Sequence, residues 1–118
     1  QSESDLRAVM HLIEHGHFAQ ACFSSQQAAE KSLKALAFFR GADLVKSHSL
    51  TTISQDLDIN GNLLSNAKKL DLYYLTARYP DALPDHAVPA ERFSKEMAEE
   101  ALQMAEAFIK SAKQEIAK

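Results

Sequence analysis

The amino-acid sequence predicts an all-α fold of four main helices and one short helix. In every periodic segment longer than ten residues the apolar residues recur at three- and four-residue steps, and no segment alternates apolar and polar residues as a strand does. Gly and Pro number three each among 118 residues, and both are commoner in strand-and-turn architectures than in long helices. A chain of this length fits one domain, so we expect residues 1–118 to share a single core.

The first two predicted helices cover residues 5–15 and the stretch between Gly16 and Gly41. Ser4 and Asp5 suit the N-cap and first turn of the first helix, and Gly16 suits its end. Gly41 is the natural C-cap of the second helix. The apolar face of that second helix comprises Phe18, Ala21, Cys22, Ser25, Ala29, Leu33, Leu36 and Phe39.

A short helix over residues 49–57 and a fourth helix over residues 62–77 follow, separated by a turn at residues 58–61. Pro80, Pro84 and Pro89 then predict an extended, stiff connector, because each disfavours helix in the residue before it. Pro89 suits the first turn of a last helix. The apolar stripe of that helix comprises Phe93, Met97, Ala101, Leu102, Ala105, Phe108, Ile109, Ala112 and Ile116.

Charge and cysteine content limit the classes of function. The net charge of −3, with acidic and basic residues interspersed, argues against avid, non-specific binding to nucleic acid. Cys22 is the single cysteine, so an intrachain disulfide is excluded and a small apolar filler is expected. This usage suits a reducing compartment, and no stretch approaches the length needed to cross a bilayer. We therefore expect a cytoplasmic protein without a membrane partner.

Polar residues in the middle of the second helix form the first candidate binding surface. Gln27, Glu30, Lys31 and Lys34 share one face, and Glu30 and Lys34 stand four apart in the favourable orientation for an ion pair. This face is either simply solvated or binds a ligand, with Lys31 or Lys34 contacting a phosphate or a partner's acidic surface. Spacing alone does not decide between these interpretations.

The run at residues 26–36, Gln-Gln-Ala-Ala-Glu-Lys-Ser-Leu-Lys-Ala-Leu, followed by Lys-Ser-His-Ser-Leu at 46–50, resembles the HEPN domain family. Tyr73, Tyr74 and the run at residues 76–81, followed by a Pro-rich connector and a long last helix, resemble the second half of that family. The resemblance covers nearly the whole chain. Each motif is loose, but their order and separations together are fairly specific.

The resemblance implies an up-and-down helical bundle, usually a homodimer, often encoded beside a minimal nucleotidyltransferase in prokaryotes. It also implies two possible activities, because the sacsin-like branch is credited with binding a nucleotide and other members cleave RNA without a metal. Those nucleases use an Arg followed four to six residues later by a His. Here seven residues separate Arg78 from His86, and Pro80 and Pro84 lie between them, so the chain departs from the nuclease pattern.

The hypothesis that follows is a nucleotide-binding or partner-binding HEPN domain in a toxin–antitoxin-like system. Its expected ligand-binding residues are Lys31, Lys34, His48, Arg78, Tyr79 and Asp81. The alternative is a metal-independent endoribonuclease with Arg78 and His86 as catalytic residues, and only this alternative requires RNA as a substrate. Arg78 could also anchor the Pro-rich loop through Asp81, and His48 could cap the short helix.

The remaining residues contain no recognisable enzyme motif, such as a Gly-rich phosphate loop or a nucleophile elbow, which favours a binding module over an enzyme. His11 and His15 stand four apart, a spacing that can place two imidazoles on one metal ion. Because the order His-Glu-x-x-His is absent, we interpret them as exposed surface histidines. We expect neither a metal site nor a cofactor.

Overall fold

The computed structural model describes residues 2–78 and 93–117, and these residues form an all-α helical bundle without strands, as predicted. The five helices are α1 (Ser2–Glu14), α2 (Phe18–Phe39), α3 (Leu50–Asp56), α4 (Gly61–Arg78) and α5 (Lys95–Ala117). The predicted connector between Pro80 and Pro89 lies outside the described residues. None of the described helices is both long and apolar enough to span a membrane.

Helix α2 is the centre of the bundle, because it packs against all four other helices and most extensively against α5. Its buried side chains, such as Leu33, face Val9 of α1, Leu70 of α4 and Phe108 of α5 within one apolar core. The short α3 contributes Leu50 and packs between α2 and α4. The core thus holds α2 and α4 in fixed positions beside the loop that precedes α3.

The helix ends follow the predicted turn chemistry only in part, because α1 already includes Ser2 and Ser4 is therefore not its N-cap. Gly16 and Gly41 have φ of 79° and 103°, a region that glycine enters without steric cost. Asp58, in the turn before α4, and Gly61, the first residue of α4, have positive φ, whereas Asn60 does not. At the end of α2, Phe39 is 57% exposed although its position predicted a core residue. The buried side chains of α2 end at Ala37, so its apolar face extends one turn past the core.

The last helix begins later than predicted. We expected Pro89 in its first turn, but residues 93 and 94 are not helical and α5 starts at Lys95. The physical reason is the hydroxyl of Ser94, which accepts a hydrogen bond from the backbone N–H of Met97 over 3.1 Å and so caps the helix. Phe93 is therefore outside the helix, yet it is buried with its ring edge-on to that of Tyr73.

Candidate ligand-binding site

A buried glutamine on α2 links the centre of the bundle to the loop that carries His48. The side chain of Gln26 is fully buried, and its Nε2 donates hydrogen bonds to the backbone oxygen of His48 over 3.2 Å and to Asp71 Oδ1 over 3.1 Å. Burial of a polar group costs free energy unless the group is hydrogen-bonded. Both of these hydrogen bonds join residues that are more than twenty positions apart in the sequence. Gln26 therefore fixes the backbone at His48 against α2 and α4.

Asp71 on α4 fixes the same loop from the other side. Its carboxylate accepts hydrogen bonds from the backbone N–H groups of Leu50 and Thr51 and from the hydroxyls of Ser49 and Thr51, all between 2.8 and 3.0 Å. A carboxylate at a helix N-terminus satisfies donors that have no partner within the helix and complements the helix dipole. The start of α3, directly after His48, is thus anchored to α4.

Glu30, Lys34 and His48 form a cluster at the surface beside this anchored loop. Glu30 Oε2 lies 3.0 Å from Lys34 Nζ and 3.3 Å from His48 Nδ1, and Lys34 Nζ lies 3.5 Å from the same Nδ1. The Glu30 side chain is only 8% exposed, whereas the His48 side chain is 74% exposed. The cluster is therefore a buried carboxylate that positions an ammonium group and an exposed imidazole.

Lys34 and His48 retain capacity to bind a ligand in this arrangement. An ammonium group has three N–H donors and Glu30 Oε2 accepts from only one of them. The contacts of His48 with Glu30 and Lys34 both involve Nδ1, so Nε2 takes no part in them. The other oxygen of Glu30, Oε1, is buried without a hydrogen-bond partner among the described residues. The accessible groups of the cluster, Lys34 Nζ and the His48 ring, suit an anionic ligand.

The structure brings two of the predicted ligand-binding residues together and separates a third. Lys34 and His48 are neighbours, but Lys31 turns towards α1, where its Nζ lies 3.5 Å from Asp5 Oδ2. Arg78 is the last residue of α4 and its side chain is not described. Tyr79, Asp81 and His86 lie outside the described residues, so their predicted roles stay predictions.

Two expectations from the sequence require correction. His48 does not cap α3, because Ser49 is the N-cap and its hydroxyl accepts from the backbone N–H of Thr52. The polar face of α2 is not uniformly solvated, since Glu30 is buried.

Sequence reasoning also missed Gln26 and Asp71. Gln26 is a polar residue between Cys22 and Ala29 on the apolar face of a helix, and that position could have indicated a buried hydrogen-bonded side chain. No feature of the neighbouring sequence indicates the role of Asp71.

A second polar cluster, formed by Tyr73, Glu100 and Lys69, lies between α4 and α5. The Tyr73 hydroxyl donates to Glu100 Oε1 over 3.2 Å, and Lys69 Nζ lies 2.7 Å from the same oxygen. The hydrogen bond from Lys69 lowers the pKa of Glu100, and burial together with the Glu100 charge raises the pKa of Tyr73 to about 12. These contacts join two helices. Tyr74, by contrast, stacks on Phe23 with ring centroids 5.1 Å apart.

Comparison with known proteins shows similarity over almost the whole chain. A family model described as HEPN domain matches residues 1–116. The chain is 27% identical over 117 residues to "Putative toxin MJ1304" of Methanocaldococcus jannaschii, covering 90% of this chain and 77% of that protein.

Solved structures show the same similarity. TT1696 from Thermus thermophilus is 37% identical with a TM-score of 0.84, covering 98% of this chain and 92% of that one. An HEPN domain protein of Thermotoga maritima is 33% identical with a TM-score of 0.76, covering 99% and 94%. A further structure, described as an archaeal HEPN homologue, is 31% identical with the same TM-score, covering 98% and 92%.

Proposed function

Because the chain belongs to the HEPN domain family, we propose that it is the HEPN member of a toxin–antitoxin-like pair and binds a nucleotide through Lys34 and His48. The similar protein of Methanocaldococcus jannaschii carries the name "Putative toxin MJ1304", which supports the first part of the proposal. The second part rests on the contact between Lys34 and His48 beside the buried Glu30.

A nucleotide is the favoured ligand because the cluster presents a cationic ammonium group and an exposed imidazole that suit its phosphates. Lys34 contacts Glu30 and His48 and keeps a third N–H for a phosphate oxygen, and the exposed ring of His48 can donate from Nε2 when it is protonated. Glu30 Oε1 is buried and out of a ligand's reach, so the role of Glu30 is to hold Lys34 and His48 in place through Oε2.

Calorimetric titration with ATP tests this proposal directly. We expect His48→Ala, at an exposed side chain, to weaken ATP binding at least about tenfold, a loss of about 1.4 kcal/mol, while the thermal midpoint hardly changes. Lys34→Gln should weaken it similarly. Lys31→Ala is the matched control, because Lys31 lies one turn earlier and its side chain pairs with Asp5 of α1 instead of joining the cluster. Equal losses in all three variants, or no ATP binding at millimolar concentration, would contradict the proposal.

Arg78, the last residue of α4, and Tyr79 and Asp81, which follow it in the sequence, belong to the same proposal as further ligand-binding residues. The Arg78 guanidinium can pair bidentately with a phosphate, which a Lys cannot reproduce. Arg78→Lys should therefore weaken ATP binding with little change in stability. If Arg78 instead anchors the loop, Arg78→Ala and Asp81→Ala would lower stability equally, by about 1 to 3 kcal/mol, and leave binding unchanged.

We further propose that a minimal nucleotidyltransferase is the partner in the pair. Coexpression of the two chains should give a complex that survives gel filtration. Excess ATP should then compete with the partner if both use the Lys34–His48 surface. A complex that is insensitive to both ATP and His48→Ala would place the partner on another surface.

The name of the toxin relative also keeps the metal-independent ribonuclease as a second candidate. In this alternative Arg78 stabilises the charge on the phosphate and His86 transfers the proton. RNA cleavage in the presence of EDTA, lost in both Arg78→Ala and His86→Ala but retained in His48→Ala, would support the nuclease. Absence of cleavage in the wild-type protein would remove it.

A further inference from the structure

Three potential metal ligands lie together on the exposed face of the last two turns of α1. His11, Glu14 and His15 are all exposed, and each offers a ligand atom that lies within 4.8 Å of those of the other two. The opposite face of the same turns carries Val9 and Ile13, which are buried in the core. The helix backbone beneath the three side chains is therefore held firmly, while the side chains themselves are free to adjust.

A hydrogen bond prepares one of the histidines for coordination. His15 Nδ1 lies 2.9 Å from the backbone oxygen of His11. A carbonyl oxygen can only accept, so Nδ1 must carry the proton and, in the neutral ring, the lone pair is on Nε2. In metal-ligating histidines the ring nitrogen that does not bind the metal commonly donates its N–H to a carbonyl oxygen in this way. This hydrogen bond fixes both the tautomer and the ring orientation.

The position within the helix also favours a cation. His11 and Glu14 lie in the last turn of α1 and His15 directly follows it, where carbonyl groups without helical partners give the helix end a partial negative charge. The rings of His11 and His15 are 4.2 Å apart between centroids, and Glu14 adds a formal negative charge to two neutral nitrogen ligands. Two imidazoles and one carboxylate form a donor set that zinc enzymes use with an open fourth position.

We propose that His11, Glu14 and His15 bind one divalent transition-metal ion such as Zn²⁺, with water completing the coordination. Zinc takes nitrogen and oxygen ligands at about 2.0 to 2.2 Å, which requires ligand atoms roughly 3.3 Å apart in a tetrahedron. Small side-chain rotations close the present separations, because all three residues are exposed. The spacing of the histidines alone did not predict this site; the placement of Glu14 and the bond at His15 Nδ1 supply the additional evidence.

The test uses the untagged protein, freed of metal, titrated with Zn²⁺ in a calorimeter. We expect one site per chain, a rise in the thermal midpoint with added Zn²⁺, and no comparable effect of Mg²⁺, which prefers an all-oxygen environment. His11→Ala and His15→Ala should each weaken Zn²⁺ binding by at least about tenfold, and Glu14→Gln should weaken it measurably.

His17→Ala is the matched control. His17 is also exposed and lies two residues after His15, but it is outside the cluster and makes no side-chain capping bond to α2. Its removal should leave Zn²⁺ binding unchanged. Failure of the wild-type protein to bind Zn²⁺ at concentrations on the order of 100 micromolar, or an effect of His17→Ala equal to that of His15→Ala, would overturn the proposal.

Discussion

The carboxylate of Asp71 on α4 accepts a hydrogen bond from the backbone N–H of Leu50, the first residue of α3, over 3.0 Å. The cap of α3 thus comes partly from a residue more than twenty positions later in the chain. Because His48 precedes this helix start and its backbone oxygen accepts from Gln26, the geometry of the candidate binding site depends on residues in the middle of two other helices.

Asp71→Ala should lower the free energy of unfolding by roughly 2 to 4 kcal/mol, because it leaves several partly buried donors at the start of α3 without this acceptor. Urea denaturation measures the loss. Asp56→Ala, at the exposed last residue of α3, is the control and should change stability by no more than about 0.5 kcal/mol. A loss below about 1 kcal/mol for Asp71→Ala would mean that the cap contributes little.

Two lysine–carboxylate pairs on α2 allow a comparison of a buried and an exposed ion pair. Lys34 and Glu30 are 3.0 Å apart with the carboxylate buried, whereas Lys31 and Asp5 are 3.5 Å apart and more exposed. A double-mutant cycle with Lys34→Gln and Glu30→Gln should give a coupling energy of about 1 to 2 kcal/mol.

The matched cycle with Lys31→Gln and Asp5→Asn should give a coupling energy below about 0.5 kcal/mol, as exposed pairs do. Urea unfolding of the wild-type protein and of all single and double variants provides both values. Equal coupling in the two cycles would show that burial of Glu30 does not strengthen its pair.

Local patterns predicted the fold because they determine which face of each helix is apolar. The stripes on α2 and α5 correctly indicated buried residues such as Leu33 and Phe108, and the i,i+4 spacing indicated the pair of Glu30 and Lys34. The pattern could not show that Asp71 binds the start of α3, because that contact depends on how two helices pack. Nor could it show that Lys31 turns towards Asp5 of α1 while Lys34 turns towards His48, because those contacts depend on the neighbouring elements.

The ion pair of Glu100 should make stability depend on pH at the acidic end. Lys69 lowers the pKa of Glu100 in the folded state below its ordinary value of about 4.5, so the stabilisation is present above that pH and is lost as pH falls through the folded pKa. Glu100→Gln should therefore reduce the fall in thermal midpoint between about pH 5 and 3. Glu99→Gln, at the adjacent exposed position, is the control; identical curves for the two variants would contradict the assignment.

The Cys22 thiol should be unreactive in the folded protein. It is fully buried, and burial together with the Glu100 charge raises its pKa to about 12, so the nucleophilic thiolate is scarce at neutral pH. We expect a disulfide reagent such as DTNB to react only as fast as the protein unfolds, and to react at once in guanidinium. Rapid labelling under native conditions would show that the site around Cys22 opens locally.

The protein should be a homodimer, and the end of α2 is our proposed interface. Phe38, Phe39 and Leu44 expose large apolar side chains on the last turn of α2 and the loop after it, and a two-fold axis would let identical patches cover each other. Sedimentation velocity at about 100 micromolar should give twice the chain mass of 13.1 kDa, and Phe39→Ser should shift the protein towards monomer.

Met10→Ser is the control for that experiment, because Met10 is similarly exposed but lies on α1. It should leave the dimer intact, since the proposed interface does not include α1. A wild-type protein that sediments only as monomer would contradict the dimer itself. A substitution weakens the dimer only if the altered side chain is buried in the interface. A dimer that survives Phe39→Ser but dissociates in Met10→Ser would therefore show that the interface includes α1 and not the end of α2.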